Sequence, residues 1–177
     1  MDCGSSRGPV PSVEPGKEKL RWELNAAVKA IAFCPWQRGL LAIGGGSNDH
    51  CIHFYDTVSG ACLATIDCAA QVTSLVWSTT CRKIAATFGF AQPEHPFRIA
   101  VHSWPACEQI VAIPWYNEYR ALYPIPYPGG PKTGCGKGEG GMWSRTSEEG
   151  CIVVAASDSA IRFHEIEQRE MGYCDWI

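Results

Sequence analysis

The sequence lacks long apolar runs, a strong excess of one charge and closely paired cysteines, and each absence excludes a class of protein. No apolar run approaches the roughly 20 residues that span a bilayer, and the first 19 residues have no apolar core of a secretory signal. The 177 residues carry a net charge of −3, which provides no basic surface for nucleic acid. We therefore expect neither a membrane nor a nucleic acid as a partner.

The ten cysteines are scattered without a CxxC pair, and several of them, such as Cys34 and Cys151, lie in or beside apolar runs. Because no export signal accompanies them, we interpret them as reduced thiols and not as a disulfide scaffold. A zinc site made of His50, Cys51 and His53 is the sharper alternative. Adjacent strand residues face opposite sides, so Cys51 is expected to point away from the two histidines, and we predict no metal site.

Short apolar runs separated by glycine, proline, asparagine and aspartate dominate the middle of the chain and predict strands joined by tight turns. An alternating segment, Leu20 to Leu24, predicts a short strand, and four more runs follow between residues 28 and 66. The pattern restarts at Val72, which is 44 residues after Val28. A third round begins at Arg120. A four-stranded unit that repeats every 40 to 45 residues or so is typical of a WD-repeat propeller blade.

The fold class predicted from this repeat is all-β, a WD-repeat β-propeller. The chain has material for about three blades, at about 20–66, 67–115 and 116–166, the last with a glycine-rich loop insertion at 127–150. Because propellers close with about four to eight blades, we expect about three C-terminal blades of a seven-bladed ring, with two open, partly apolar sheet faces. Residues 1–19 are expected to be a disordered leader, and residues 167–177 a C-terminal tail.

The sequence supports neither a phosphate-binding loop nor a catalytic site. The glycines around Lys137 lack the four-residue spacing of a phosphate-binding loop, and the glycines that follow do not favour a helix. Five histidines are present, but no nucleophile elbow or pair of acids accompanies them at a fixed spacing. His164 occupies the place of the usual WD tryptophan and is expected to pack. We predict no enzyme activity and no cofactor.

Five strings are more specific than a generic WD repeat: AVKAIAFCPW, the GGG turn, SGACL, QVTSLVWS and GFAQ, in this order. Together they resemble the last blades of the Fizzy family, WD-repeat co-activators of the anaphase-promoting complex, a ubiquitin ligase. The resemblance covers about residues 25 to 166. The PEHPFRIAVHSWP extension, the IPWYNEYRALYPIPYPGGP segment and the final insertion look more like the fungal meiosis-specific activator branch than the general mitotic members.

The resemblance implies a non-catalytic adaptor that captures two short degrons, the KEN box and the destruction box, and presents substrates to the ligase. Ser47, Gln71 and Arg120 match the family's KEN-binding positions. Arg120 could pair with the degron glutamate and Gln71 with an amide, while Ser47 adds a hydroxyl. Asp158 is a further candidate for substrate binding. The next position, glutamate in the family, is Ser159 here, which puts binding of the destruction-box arginine in doubt.

Each of these residues also has a structural explanation. Arg120 and Gln71 could be solvated residues at strand starts, and Ser47 and Asp158 could bond the backbone of their own turns. No C-box precedes the blades, and the chain ends in Asp175-Trp176-Ile177 instead of Ile-Arg. Docking to the ligase in the family manner is therefore not expected of this chain alone. A generic WD-repeat scaffold remains the alternative, and the resemblance implies a location in nucleus and cytoplasm.

Overall fold

The computed structural model of the chain describes residues 16–79, 81–91, 95–127 and 151–165. These residues form strands and turns, and none of the described segments contains a helix of the length and hydropathy of a membrane span. In chain order the strands are β1 (Val28–Phe33), β2 (Leu40–Gly45), β3 (Cys51–Asp56), β4 (Cys62–Asp67), β5 (Ala70–Trp77), β6 (Lys83–Ala91), β7 (Phe97–Ser103), β8 (Gln109–Pro114), β9 (Ala121–Tyr127), β10 (Cys151–Ala156) and β11 (Ile161–Glu165).

The strands form three antiparallel meanders, each following the order of the chain. The first sheet has the order β1-β2-β3-β4 and the second β5-β6-β7-β8, while the third contains β9-β10-β11 among the described residues. Each sheet therefore restarts where the sequence repeat restarts. The predicted insertion after β9, the predicted tail and most of the predicted leader lie outside the described residues.

Alternation along the strands decides which side chains the sheets bury. In β3, Ile52 and Phe54 are fully buried between the first and second sheets, whereas His53 and Tyr55 point to the other face of the first sheet. The turns between strands use glycine where the backbone must be left-handed, as at Gly39 (φ 86°) and Gly60 (φ 81°). Period-two burial is the behaviour expected of strands in stacked sheets.

The first and second sheets pack through an apolar core in which Trp77 is central. Its ring lies against Phe54 and Trp104, with centroids 5.9 and 6.1 Å away, and its indole N–H donates to the carbonyl of Ala32 at 3.1 Å. Contacts of this kind combine a large buried area with a satisfied polar atom. Trp77 of the second sheet thus contacts both β1 and β3 of the first sheet and stabilises the packing of the two sheets.

β5 also touches the third sheet. The Thr73 hydroxyl donates to the carbonyl of Ala121 at 2.7 Å, and Ala121 is buried in a second core with Ile99, Trp115 and Ile152. Hence β5 lies between β1 and β9, the first strands of the neighbouring sheets, and contacts both. Sheets that stack through their first strands in this way have the arrangement of propeller blades.

The two outer faces of this stack carry exposed apolar side chains. Ile31 and Phe33 of the first sheet are 63% and 64% exposed, and Ile161 and Phe163 of the third are 70% and 55% exposed. A sheet inside a propeller buries both faces, so these are the surfaces on which further sheets would pack. The sequence analysis predicted two such open faces.

The predicted strand at Leu20 to Leu24 is wrong. This segment lies across the face of the first sheet without pairing to a strand, and its Trp22 and Leu24 side chains pack against Leu41, Ile43 and Tyr55. The Trp22 indole N–H donates to the carbonyl of Gly60 at 2.9 Å. The alternating pattern therefore reflects partial burial of Trp22 and Leu24 against the sheet face and not strand pairing.

Candidate functional site

Two predicted site residues, Gln71 and Arg120, lie where β5 and β9 begin. We call this the upper end of the sheets: there β5 and β9 start, and β2, β6 and β10 finish. Because β5 and β9 are neighbouring first strands, their starting residues flank the end of β6 that lies beside them. The geometry of that end is set by Gly89 and Phe90.

Gln71 crosses the end of β6 at Gly89. A Cβ atom at residue 89 would lie 2.5 Å from Gln71 Oε1 and 3.2 Å from Thr73 Cγ2, which is closer than van der Waals contact allows. Glycine is therefore needed for the amide to lie against the strand. Half-buried in this position, the Gln71 side chain keeps an amide at the upper end.

The Arg120 backbone is held by hydrogen bonds, and its side chain lies over an aromatic ring. Its N–H donates to the Ser157 hydroxyl at 2.9 Å, and its carbonyl accepts from the Ser157 N–H at 3.1 Å. Its guanidinium lies 5.0 Å from the centroid of the Phe90 ring, which is 61% exposed. No carboxylate pairs with Arg120 among the described residues, so the cation is held over an aromatic ring with its hydrogen-bond donors available.

Arg98 supports the loop that leads into Arg120. Its Nε donates to the carbonyl of Tyr119 at 2.9 Å, and its Nη1 donates to the carbonyls of His95 and Phe97 at 2.8 and 3.1 Å. The guanidinium is buried, with 8% of the residue exposed, and it joins the β6–β7 loop to the β8–β9 loop. Arg98 thus acts on the site as a positioning residue for Arg120.

Ser47 lies at the same upper end, on the first sheet. It is exposed in a turn held by the Asp49 and His50 N–H groups, which both donate to the Gly46 carbonyl at 3.1 Å. The alternative in which Ser47 bonds its own turn is not what the described hydrogen bonds show. Its hydroxyl makes none within that part of the chain, and it faces solvent.

The Asp158 carboxylate is already paired with Arg162. Its two carboxylate oxygens accept from the two terminal nitrogens of Arg162, and one of them also accepts from the Ala160 N–H at 3.2 Å. The hydrogen bonds from Arg162 lower the pKa of Asp158 to about 2. The Arg162 guanidinium in turn lies 4.5 Å from the Trp115 ring centroid. The structure therefore places Asp158 near the backbone of Arg120, but its charge is neutralised locally.

His164 packs as expected, since its ring stacks on Trp115 with centroids 5.9 Å apart. Burial, followed by the charge of Arg162, lowers the pKa of His164. A neutral ring in this position serves packing between the second and third sheets.

The expectation that the Cys51 side chain points away from His53 is wrong. Cys51 and His53 are two residues apart in β3, so their side chains share a face, and Asp49 joins them; the ligand atoms of these three residues lie within 4.8 Å of one another. The combination with His50 that the sequence analysis considered and rejected is not formed: His50 lies in the turn with a left-handed backbone (φ 60°) and is not part of this group. The rule of opposite faces holds for neighbours, not for alternate residues.

Sequence reasoning missed Phe90, Arg98 and Ser157. Phe90 lies inside the GFAQ string, where an aromatic residue at a strand end gives a weak signal. The backbone bonds of Arg98 and Ser157 join residues 21 and 37 positions apart, and no local pattern reports them. Tertiary structure alone reveals these supports.

Taken together, three stacked antiparallel meanders, two with four strands and one with three described strands, define a WD-repeat β-propeller protein. No protein-family model matches the chain. It is 39% identical over 141 residues to the meiosis-specific APC/C activator protein AMA1 of Saccharomyces cerevisiae, covering 80% of this chain and 21% of that protein. It is 36% identical over 161 residues to meiotic fizzy-related protein 2 of Schizosaccharomyces pombe, covering 87% of this chain and 30% of that protein.

The structure is also similar to a chain in the crystal structure of the mitotic checkpoint complex. The TM-score is 0.62 at 33% sequence identity, and the match covers 82% of this chain and 39% of that chain. The present chain thus spans less than a third of the length of the two relatives above. These findings confirm the resemblance: the chain is a homologue of the Fizzy-family activators of the anaphase-promoting complex, with relatives in the fungal meiosis-specific branch.

Proposed function

We propose that the chain provides part of the substrate-binding face of an activator of the anaphase-promoting complex. In this role it is a non-catalytic adaptor, whose partners are subunits of that ligase and substrate proteins carrying a KEN box. The names of the relatives support the activator role. The observation that carries the substrate-binding role is that an arginine without a carboxylate partner among the described residues lies over Phe90, while the Gln71 amide lies against the neighbouring Gly89 at the end of β6.

The chemistry of this pair suits the KEN motif. Arg120 has no carboxylate partner among the described residues, so an incoming glutamate can form a charge-assisted, two-pronged hydrogen bond with it. The contact with Phe90 restricts the Arg120 guanidinium before binding, which reduces the entropy lost on binding. Gln71 can donate to and accept from the asparagine amide or the peptide backbone, and Ser47 offers a hydroxyl from the first sheet.

Destruction-box binding is a weaker proposal for this face. An incoming arginine would have to displace Arg162 from Asp158, because both carboxylate oxygens already accept from Arg162. The neighbouring Ser159 supplies no charge. We therefore assign KEN capture to Gln71 and Arg120, with Asp158 as a secondary contact that requires Arg162 to move.

The same role leads us to propose that the protein acts in nucleus and cytoplasm during cell division and meiosis. A generic WD-repeat scaffold is the competing function. It would keep the sheets and the Trp77 core but would have no need of an amide and a cation at the upper end. Peptide binding separates the two.

The test is a fluorescence-anisotropy titration of the 177-residue chain with a labelled KEN peptide. Arg120→Ala should weaken binding about 10- to 100-fold, since a hydrogen bond to a charged group contributes about 1.5–3 kcal/mol. Gln71→Ala should weaken it about 3- to 10-fold, in line with about 0.5–1.5 kcal/mol for a neutral bond.

Arg82→Ala is the matched control. Arg82 also lies over an aromatic ring, 5.9 Å from the centroid of Trp36, but in the turn at the opposite end of β5 and β6. Arg82→Ala removes the same charge as Arg120→Ala and a similar contact with an aromatic ring. Peptide affinity should nevertheless stay unchanged. Equal losses in Arg82→Ala and Arg120→Ala, or no loss in either, would favour the scaffold.

A further inference from the structure

A cluster of three different metal-ligating side chains lies on the face of the first sheet that points away from the second. Asp49 comes from the turn between β2 and β3, and Cys51 and His53 are alternate residues of β3. Their ligand atoms lie within 4.8 Å of one another. Asp49 shares its turn with Ser47, but none of the three side chains of the cluster is among the residues of the proposed peptide site.

The histidine of this cluster is oriented from both sides. His53 Nε2 is 2.9 Å from Asp49 Oδ2, and His53 Nδ1 is 3.2 Å from the Thr65 hydroxyl on the adjacent strand β4. Both ring nitrogens of His53 therefore have an oxygen partner within hydrogen-bond distance. A hydroxyl bound to the far nitrogen is the kind of support that fixes a metal-binding imidazole.

We propose that Asp49, Cys51 and His53 form a binding site for a zinc-type divalent cation. The ion takes the place of the proton between His53 Nε2 and Asp49 Oδ2, and Cys51 Sγ supplies the third ligand. Nδ1–H of His53 then donates to Thr65. One carboxylate oxygen, one thiolate sulfur and one imidazole nitrogen are each established zinc ligands, and a fourth position is left for water or another donor.

The distances permit this change with small movements. Zinc bonds of about 2.0–2.3 Å at tetrahedral angles place neighbouring ligand atoms about 3.3–3.6 Å apart. The Asp49–His53 pair at 2.9 Å must open slightly, and the most distant pair, within 4.8 Å, must close by about 1 Å. Side-chain rotation at the sheet surface is sufficient for both.

The local charges favour a cation. The side chains of Asp49 and His53 are only 6% and 17% exposed, and Asp67 lies opposite Cys51 on β4. A divalent cation would offset that concentration of negative charge and displace the thiol proton. Gly45 leaves room beside Asp49, because a Cβ at residue 45 would occupy the space of the carboxylate.

Zinc protection against alkylation tests the proposal at residue level. The 177-residue chain is treated with iodoacetamide, with and without a small excess of zinc, and each cysteine is followed by mass spectrometry. Alkylation of Cys51 should slow at least about tenfold with zinc, while Cys81 and Cys107 on the second sheet keep their rates. Cobalt should produce a thiolate charge-transfer band that disappears in Cys51→Ser and persists in Cys81→Ser.

Asp49→Asn and His53→Ala complete the experiment. Each removes one ligand, and Asp49→Asn preserves the size of the side chain, so loss of folding does not obscure the result. Both should abolish the protection of Cys51. An unchanged Cys51 rate with zinc in the wild-type chain, or protection that survives in both variants, would overturn the site.

Discussion

Close contact between the first two sheets at Gly44 leads to the most quantitative prediction. A Cβ at residue 44 would lie 2.5 Å from Val72 Cγ1, 2.9 Å from Val72 Cβ and 3.1 Å from Ala30 Cβ. Val72 is fully buried, so it has no free space into which to retreat. Gly44→Ala should therefore force the start of β5 away from β2.

Two opposing effects determine how much Gly44→Ala changes the free energy of unfolding. Overpacking of a close-packed core costs about 1–3 kcal/mol. Replacing glycine by alanine restricts the unfolded chain and returns about 0.4–1 kcal/mol. We expect a net loss of about 1–2 kcal/mol in the free energy of unfolding, measured as a lower urea midpoint by circular dichroism.

Val72→Ala provides the partner for a double-mutant cycle. Removing Cγ1 eliminates the 2.5 Å contact but leaves the 2.9 Å contact to Cβ. The double variant should therefore lose less stability than the sum of the two single variants, by about 0.5 kcal/mol or more. A Gly44→Ala variant that is neutral or more stable, or strict additivity in the cycle, would refute this account of the sheet contact.

Two further predictions concern the upper end of the sheets. Gly89→Ala should reduce KEN-peptide affinity several-fold in the anisotropy assay, because the new methyl group displaces the end of Gln71, and it should lower the urea midpoint slightly, because the methyl group also lies 3.2 Å from Thr73 Cγ2; unchanged affinity would remove Gln71 from the site. The pair of Asp158 with Arg162 should contribute stability above the ordinary carboxyl pKa of 3.8 and lose it as the pH falls towards about 2. Thermal melts of wild type and Asp158→Asn should accordingly converge near pH 2 and differ at pH 6, and a constant difference would contradict the pairing.

Much of the fold was predictable because strands in stacked sheets obey a local rule. The apolar runs of β1 to β8 alternate or are buried on both faces, and turn residues separate them, so both the strands and the repeat could be read from the sequence. The segment Leu20 to Leu24 also alternates, yet it pairs with no strand. Whether an alternating segment pairs with another strand depends on the surfaces that lie beside it in the folded protein. The local sequence pattern contains no information about those surfaces.

The candidate site was predictable only in part. Motif resemblance identified Gln71 and Arg120 as strand-start residues, and the structure places both beside the end of β6. It could not reveal that Phe90 holds the Arg120 side chain or that Arg162 neutralises Asp158, because side-chain partners follow from packing. The Asp49 cluster was missed because the rule for adjacent strand residues does not apply to Cys51 and His53, which are alternate residues of β3.

Photo-crosslinking tests the central claim most directly, by locating the bound peptide. A KEN peptide with a photoreactive group at the residue next to its glutamate is irradiated with the 177-residue chain, and crosslinked residues are identified by mass spectrometry. The account predicts crosslinks to residues 89–91 and 119–121, which unlabelled KEN peptide removes and a peptide with the glutamate changed to alanine does not. Crosslinks concentrated around Arg82 at the opposite end, or spread over the sheets without competition, would contradict it.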